Sequence, residues 1–175
     1  MQACWLVALC GAHADTCLVW YETAQGEDCI LTVDGALREF CQKQDAEIAC
    51  EALGLEVQET VCYDVKRLDA WVSEGCSSQI RIPGTEEIDC AFLLDFWNLF
   101  TDIGAEVREP LEPVLTRRMR RCYDKLFAGC NLPAVTPEGV RFSPVLTRRE
   151  LRDLRSLMRR GLEMYRRHSR RGESN

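Results

Sequence analysis

The sequence CILTVDGALREF, residues 29–40, carries the strongest local fold signal in the chain. Two apolar runs, residues 29–33 and 36–40, flank the dipeptide Asp34-Gly35. Asp-Gly between apolar runs favours a two-residue hairpin turn, because both central positions of that turn need positive φ. The stretch therefore predicts a pair of antiparallel strands.

Two short runs of strand-forming residues precede this hairpin, at residues 5–10 and 17–21. The A-x-A sequence at residues 12–14 resembles the cleavage site of a signal peptide. However, no Lys or Arg precedes Arg38, so the basic region of a signal peptide is missing, and we predict a first strand here. A cleaved signal over residues 1–14 stays open as the alternative.

Helix and strand signals alternate after the hairpin. Asp45 is expected to cap a helix that is closed by Gly54, since Asp favours the N-cap and Gly the position after the last turn. Residues 55–63 predict a further strand. Asp64 is expected to cap a second short helix that ends at Gly75.

Residues 88–107 show the clearest helical periodicity in the chain. At 100° per residue, Phe96 and Phe100 fall in the middle of an apolar arc, and a polar stripe lies opposite to it. The stripe consists of Asp95, Asn98, Asp102 and Glu106.

This polar stripe suits three kinds of site: a metal site, an acid–base pair or a surface for a basic partner. A carboxylate metal site in a helical bundle usually adds Glu-x-x-His motifs, which the sequence lacks. Acid–base catalysis needs a desolvated carboxylate, whereas a stripe opposite the core is expected to be solvated. A solvated helix face and a partner-binding surface stay as the two interpretations.

Two basic helices are expected at the C-terminal end. Residues 114–127 predict one, and Thr147-x-x-Glu150 is a capping box that predicts the start of the other. Arginines flank the apolar stripe of the last helix, so nucleic-acid binding is an alternative function, although Tyr165 falls in the apolar stripe and offers no stacking surface. One flank holds Arg148, Arg152, Arg155, Arg159 and Arg166, and another holds Arg149, Arg160 and Arg167.

Charge is divided unequally along the chain, whose net charge is −6. Residues 1–107 contain 5 basic and 20 acidic residues (net −15), and residues 108–175 contain 17 basic and 8 acidic residues (net +9). Such asymmetry indicates either charged partners or two halves that face each other.

Cysteine is abundant, with 11 residues in 175. The number is odd and no C-x-x-C pair occurs, which argues against structural zinc. We predict mostly buried thiols in a reducing, cytoplasmic protein. The cysteines are Cys4, Cys10, Cys17, Cys29, Cys41, Cys50, Cys62, Cys76, Cys90, Cys122 and Cys130.

Signals for catalysis are weak. The two histidines, His13 and His168, lie near opposite ends of the chain, and G-x-S-x-G, Walker-A and G-x-G-x-x-G motifs are missing. We therefore expect no enzymatic activity, no cofactor and no metal. No apolar run approaches the roughly 18 residues of a membrane-spanning helix, so we expect no membrane partner.

Four segments carry a resemblance to a protein family. They are ILTVDGALREF (30–40), AEIACEALGLEV (46–57), IDCAFLLDFWNLFTDIG (88–104) and YDKLFAGCNLPAVTPEG (123–139). In pattern they resemble small bacterial immunity proteins of the polymorphic-toxin or contact-dependent-inhibition type, which neutralise a cognate toxin made by the same strain. The resemblance implies that role and assigns no contact residues.

We expect a single α+β domain over residues 1–175, with an N-terminal antiparallel sheet of four or five strands followed by three longer helices packed on or beside it. Residues 1–63 should be mainly strands with one helix and residues 64–165 mainly helical. Residues 166–175 should form a disordered basic tail.

The expected function is non-catalytic binding and inhibition of a cognate protein toxin, for which a basic nuclease is one candidate. An acidic surface can fill a basic cleft with fast association. The alternative is a nucleic-acid-binding or regulatory protein that uses the last helix. The sequence leaves the oligomeric state open.

Overall fold

Seven strands and five helices are found in a computed structural model, which describes residues 2–11, 16–74, 80–81, 87–111 and 116–170. The strands are β1 (Gln2–Cys10), β2 (Thr16–Glu22), β3 (Asp28–Ile30), β4 (Thr32–Val33), β5 (Ala36–Arg38), β6 (Leu55–Asp64) and β7 (Ser169–Arg170). The helices are α1 (Lys43–Ala52), α2 (Val65–Ser73), α3 (Cys90–Glu106), α4 (Arg117–Gly129) and α5 (Arg148–His168). The mixed α+β class is confirmed, while its arrangement differs from the prediction.

The main sheet is mixed, and the prediction of a purely antiparallel sheet is wrong. Its strand order is β3-β2-β1-β6, in which β1 pairs antiparallel with β2 and parallel with β6. Parallel neighbours such as β1 and β6 need a long crossover connection. The chain between them, which includes β2 and α1, supplies it. As a result β6 is an edge strand of ten residues.

The Asp34-Gly35 hairpin is confirmed, because Asp34 has φ 53° and Gly35 has φ 75° between the paired strands β4 and β5. The preceding run is not one strand, however. It divides at Leu31, whose N–H donates to the Val19 carbonyl at 2.9 Å while its own carbonyl accepts from Arg38. Residues before Leu31 pair with β2 and residues after it pair with β5.

Helix starts follow the predicted caps in two of three cases. Asp64 caps α2 by accepting from the Arg67 N–H, and the Thr147 capping box opens α5, as predicted. Gly54 follows α1 with φ 72°, as expected. The prediction for Asp45 is wrong: α1 begins at Lys43, and Asp45 lies inside the first turn, where a negative charge favours the helix dipole.

Other predicted boundaries shift or fall outside the described residues. α3 begins two residues late, at Cys90, because the Asp89 side chain accepts from the Phe92 N–H and so acts as its cap. α4 begins at Arg117 behind the Thr116 cap, and its predicted start at residue 114 lies outside the described residues. The predicted helix end at Gly75, the cysteine at position 76 and His13 lie outside the described residues.

The two faces of the main sheet bury different clusters, as alternating strand side chains require. Cys4 and Leu6 of β1 pack with Ala46 and Cys50 of α1. Val7, on the opposite face of β1, belongs to the larger cluster that joins the sheet to α2, α3, α4 and α5. α1 therefore covers one face, and the other four helices cover the second.

α5 extends through the start of the predicted tail. The helix continues to His168, and Ser169–Arg170 forms β7, which pairs parallel with β5. Residues 166–170 are thus part of the fold, contrary to the predicted disorder, and residues 171–175 lie outside the described chain. Within the described residues, no helix is long and apolar enough to cross a membrane.

Candidate functional site

The polar stripe of α3 lies on the least buried side of that helix. Phe96 and Phe100 are almost fully buried, as the periodicity predicts, with 1% and 2% of their surfaces exposed. Asp95 is exposed, and the other three stripe residues are half-buried. At a rise of 1.5 Å per residue, the stripe from Asp95 to Glu106 is about 17 Å long.

One border of the stripe is the main sheet. The Tyr63 ring packs edge-on against Phe96, with 5.2 Å between ring centres. Burial, followed by the nearby carboxylates of Asp95 and Asp102, raises the pKa of the Tyr63 hydroxyl. At the other end, burial and a hydrogen bond to Glu106 raise the pKa of the Cys29 thiol to about 11. The stripe therefore runs across the sheet from β6 to β3.

The opposite border is α4. The Tyr123 hydroxyl donates to Asn98 Oδ1 at 3.2 Å, and its ring packs edge-on against Trp97 with 5.4 Å between centres. Asn98 is thus held in place by α4, and it is a neutral member of an otherwise acidic stripe.

Asp95 forms no ion pair within the part of the chain that the structure describes. Partial burial raises the pKa of its carboxyl, and the neighbouring Asp89 carboxylate raises this pKa further. Asp89 itself is paired with Arg67, with 2.9 Å between Nη2 and Oδ2. A cation brought to Asp95 by a partner would offset the partial desolvation and the repulsion from Asp89 that raise this pKa.

A groove of about 380 Å³ lies beside this end of the stripe, between the start of α3 and the loop that follows α4. Asn131 orders the loop, because its amide nitrogen donates to the Phe142 carbonyl at 2.9 Å and its amide oxygen accepts from the Phe142 N–H at 2.7 Å. Asp95 is near enough to Cys130, which lines the groove, to contribute to the raised pKa of its thiol after burial.

Exposed apolar side chains are concentrated on the same loop. Contiguous exposed apolar surface is a common mark of protein–protein contact. The loop side chains are Leu132, Val135, Val140, Phe142 and Val145. Branched and aromatic residues between prolines were the signal available in the sequence, but their exposure depends on how Asn131 folds the loop.

The arginines proposed for nucleic-acid binding do not form one exposed set. Arg155 is buried, with its guanidinium carbon 4.9 Å from the centre of the Trp71 ring. Arg159 donates to the Val72 carbonyl at 3.4 Å, and Arg166 pairs with Asp69 at 3.0 Å. Arg148 and Arg152 are exposed.

The second flank is divided in the same way. Arg149 and Arg160 are exposed, whereas Arg167 pairs with Glu109, which also lies 3.3 Å from His168 Nε2. These contacts show that part of the charge asymmetry is internal, since α5 arginines meet acidic residues of α2 and of the segment after α3.

Two of the stripe carboxylates, Asp95 and Glu106, take no part in these pairs within the described residues. Among the eight ion pairs found within the described residues, none includes Asp95 or Glu106. The arginine-rich helices are instead paired through Asp69, Glu109 and Asp153. Asp95 and Glu106 are therefore not neutralised by an ion pair with the described arginines of the basic half.

Within the described part of the chain, no group of three or more His, Cys, Asp or Glu side chains is placed to share a metal ion. All ten described cysteines are thiols. Five of these cysteines are buried, so the prediction of mostly buried thiols holds for half of them.

The function has to be inferred from the stripe, the groove and the charges around them, because no family model, no curated protein and no solved structure matches this chain.

Proposed function

We propose that this protein is a non-catalytic inhibitor of the toxin-immunity type, acting in the cytoplasm, which binds a basic protein partner over the open side of α3. The observation that carries the proposal is the polar stripe of α3, which is about 17 Å long by helix rise. Its Asp95 and Glu106 carboxylates are outside the ion-pair network of the described residues. Surface charge left uncompensated by the fold is available for a partner.

The groove supplies the second element that such an interface needs. Stable protein interfaces combine an apolar centre with a charged rim. Phe142 and Val140 line the groove beside Asp95, so an apolar side chain of the partner can enter there while its Lys or Arg residues meet the stripe. A basic nuclease is the class of toxin that this arrangement fits best, because its substrate cleft is positively charged.

The rigidity of the surface also favours binding. α3 is fixed by aromatic contacts on two sides, Phe96 to Tyr63 and Trp97 to Tyr123, so its polar stripe is presented on an ordered element. An interface that is already ordered loses less conformational entropy on binding than a flexible one.

The proposal is tested by affinity capture with the full chain from its native cell extract, followed by mass spectrometry and expression of the captured protein. We expect a basic protein that stops growth when expressed alone and does not stop growth when this protein is co-expressed. A captured partner that has no toxic activity, or whose toxicity is unchanged by co-expression, would contradict the proposal.

A second candidate is binding of a polyanion such as a nucleic acid by α4 and α5. It is favoured by exposed arginines on the two neighbouring helices, for which no ion pair is found within the described residues: Arg117, Arg120, Arg121, Arg148, Arg149, Arg152 and Arg160. Exposed cations on two helices that contact each other would attract phosphates in a salt-dependent way. Salt-dependent retention on heparin that is lost in an Arg117→Gln, Arg121→Gln, Arg149→Gln variant would support this candidate, and lack of retention would exclude it.

A further inference from the structure

Two thiols meet at the ends of the parallel strands β1 and β6. The Sγ atoms of Cys10 and Cys62 are 2.8 Å apart, at an exposed position. Cys62 lies opposite Ala8 in the strand register, and side chains two residues apart point to the same face of a sheet. Cys10 and Cys62 are therefore on the same face. The distance between their Sγ atoms exceeds the roughly 2.05 Å of a disulfide bond by less than 1 Å.

The backbone beyond Cys10 is closely packed. Gly11 has φ 84°, and a Cβ at this position would lie 2.8 Å from Lys66 Cβ. Only glycine fits this close approach, so the chain passes tightly over the first turn of α2. This packing fixes the end of β1 and with it the position of Cys10 beside Cys62.

Five of the other eight described cysteines are buried, whereas Cys41 is exposed and Cys29 and Cys130 are half-buried. Burial raises the pKa of Cys17 and Cys122 to about 11 and that of Cys50 to about 12, so these thiols are poor nucleophiles. Cys4 and Cys50 form a second close pair, but both are fully buried. Cys62 is exposed and Cys10 is half-buried, so a small molecule can reach this pair.

We propose that Cys10 and Cys62 are a redox site that forms a reversible intramolecular disulfide with a low-molecular-weight disulfide, such as oxidised glutathione, as the oxidant. The Cys62 thiolate attacks one sulfur of the oxidant, which breaks its S–S bond and releases one glutathione thiol. The Cys10 thiolate then attacks Cys62 Sγ in the mixed disulfide and releases the second glutathione thiol. Two protein thiols are oxidised, one glutathione disulfide is reduced, and the two protons leave with the released thiols.

The bond would join an edge strand to the interior strand β1. It would close a loop over the 52 positions that separate the two cysteines, which restricts the unfolded chain. The residue after Cys62 is Tyr63, which supports Phe96 under the polar stripe, so the disulfide would anchor the strand on which α3 rests. This inference does not depend on toxin binding.

The full-length protein is equilibrated with mixtures of oxidised and reduced glutathione, alkylated, and analysed by intact and peptide mass spectrometry. We expect the wild type to lose two hydrogen atoms, to yield a linked peptide pair containing Cys10 and Cys62, and to recover both thiols in dithiothreitol. The oxidised form should also unfold at a higher urea concentration than the reduced form. The Cys10→Ser variant should instead retain glutathione on Cys62.

Two controls make the result specific. Cys41→Ser removes an exposed cysteine away from the pair and should leave the cross-link unchanged, whereas Cys62→Ser should abolish it. The proposal is overturned if the wild type keeps all its thiols at high oxidised glutathione. It is also overturned if glutathione stays on both cysteines as separate mixed disulfides, or if a different pair such as Cys4 and Cys50 becomes linked.

Discussion

The Arg155 guanidinium lies over the Trp71 indole, 4.9 Å from its centre, with only 4% and 3% of the two residues' surfaces exposed. The contact joins α5 to α2 inside the main hydrophobic cluster. A guanidinium stacks on an aromatic face more easily than an ammonium because it is planar and weakly hydrated. One arginine of the basic helix is thus a packing residue of the core.

Replacement of Arg155 by alanine should destabilise the protein by about 2 kcal/mol, because the stacking contact and the buried side-chain packing are both lost. Arg152→Ala is the matched control on the same helix, and since Arg152 is exposed its effect should stay within about 0.5 kcal/mol. Urea unfolding measures both. Equal losses for the two variants would contradict the structural assignment of Arg155.

Gly161 is the point of closest contact between α5 and α3. A Cβ at this position would lie 2.1 Å from Phe100 Cδ2, so an added methyl group has no space. Alanine is better than glycine in a helix by about 1 kcal/mol, but overpacking a core costs about 1–3 kcal/mol. We therefore expect Gly161→Ala to be net destabilising in urea unfolding.

In a Phe100→Leu background, where the facing side chain is smaller, Gly161→Ala should lower the free energy of unfolding by less than it does in the wild type. Ser156→Ala, an exposed change on the same helix, is the control for helix propensity and should stabilise slightly, by about 0.5 kcal/mol. A stabilising effect of Gly161→Ala in the wild-type background would show that α5 and α3 are not in close contact here.

Glu150 should link stability to pH. Burial acts to raise the pKa of its carboxyl, but hydrogen bonds from Lys125 and Thr147 outweigh burial and hold this pKa below its usual range. A pKa that is lower in the folded state contributes stability above the ordinary value of about 4.3, and this contribution is lost as pH falls through the folded-state pKa.

Glu150→Gln should accordingly lower the free energy of unfolding by about 1–2 kcal/mol at pH 7, since it weakens the capping box and the pairing with Lys125. The difference from the wild type should shrink in strongly acidic solution, where the wild-type carboxyl is also protonated. Glu138→Gln, an exposed change, should have little effect at either pH. A Glu150→Gln effect that does not vary with pH would contradict this role.

Most local signals, whose interaction partners are close in the chain, predicted the structure correctly, although Asp45 did not cap α1. Asp34-Gly35 requires its own backbone conformation, and Asp64 and Thr147 bind N–H groups three residues away. The polar stripe of α3 followed from periodicity alone, since residues three, four and seven apart share a helix face.

Features that depend on the topology of the chain could not be predicted from the sequence. The parallel pairing of β1 with β6, and therefore the meeting of Cys10 and Cys62, is set by where the chain crosses over between distant segments. The sequence placed Arg155 on an exposed flank of α5 because arginine is usually exposed to solvent. Its contact with Trp71 instead places it in the core. The exposed apolar loop required knowledge of the Asn131 contacts.

Asp95 should contribute to partner binding without contributing to the stability of the fold. The raised pKa of its carboxyl means that the folded state binds a proton more tightly than the unfolded state, so its effect on stability becomes less favourable as pH rises between the ordinary and the raised pKa. Asp95→Asn should therefore leave stability at pH 7 unchanged or raise it by up to about 0.5 kcal/mol, as measured by urea unfolding. A loss of more than about 1 kcal/mol would show that the carboxylate is structural.

The central claim is that the α3 stripe steers a basic partner, and the association rate with the captured partner, measured against salt concentration, tests it most directly. The test variant is Asp95→Asn, Asp102→Asn, Glu106→Gln. The control, Asp45→Asn, Glu51→Gln, Glu56→Gln, removes the same charge from exposed positions elsewhere in the acidic half. We predict that the stripe variant folds normally, associates roughly tenfold more slowly at low salt and loses most of its salt dependence, while the control stays close to wild type. Equal rates and equal salt dependence for the stripe variant and the control would contradict the claim.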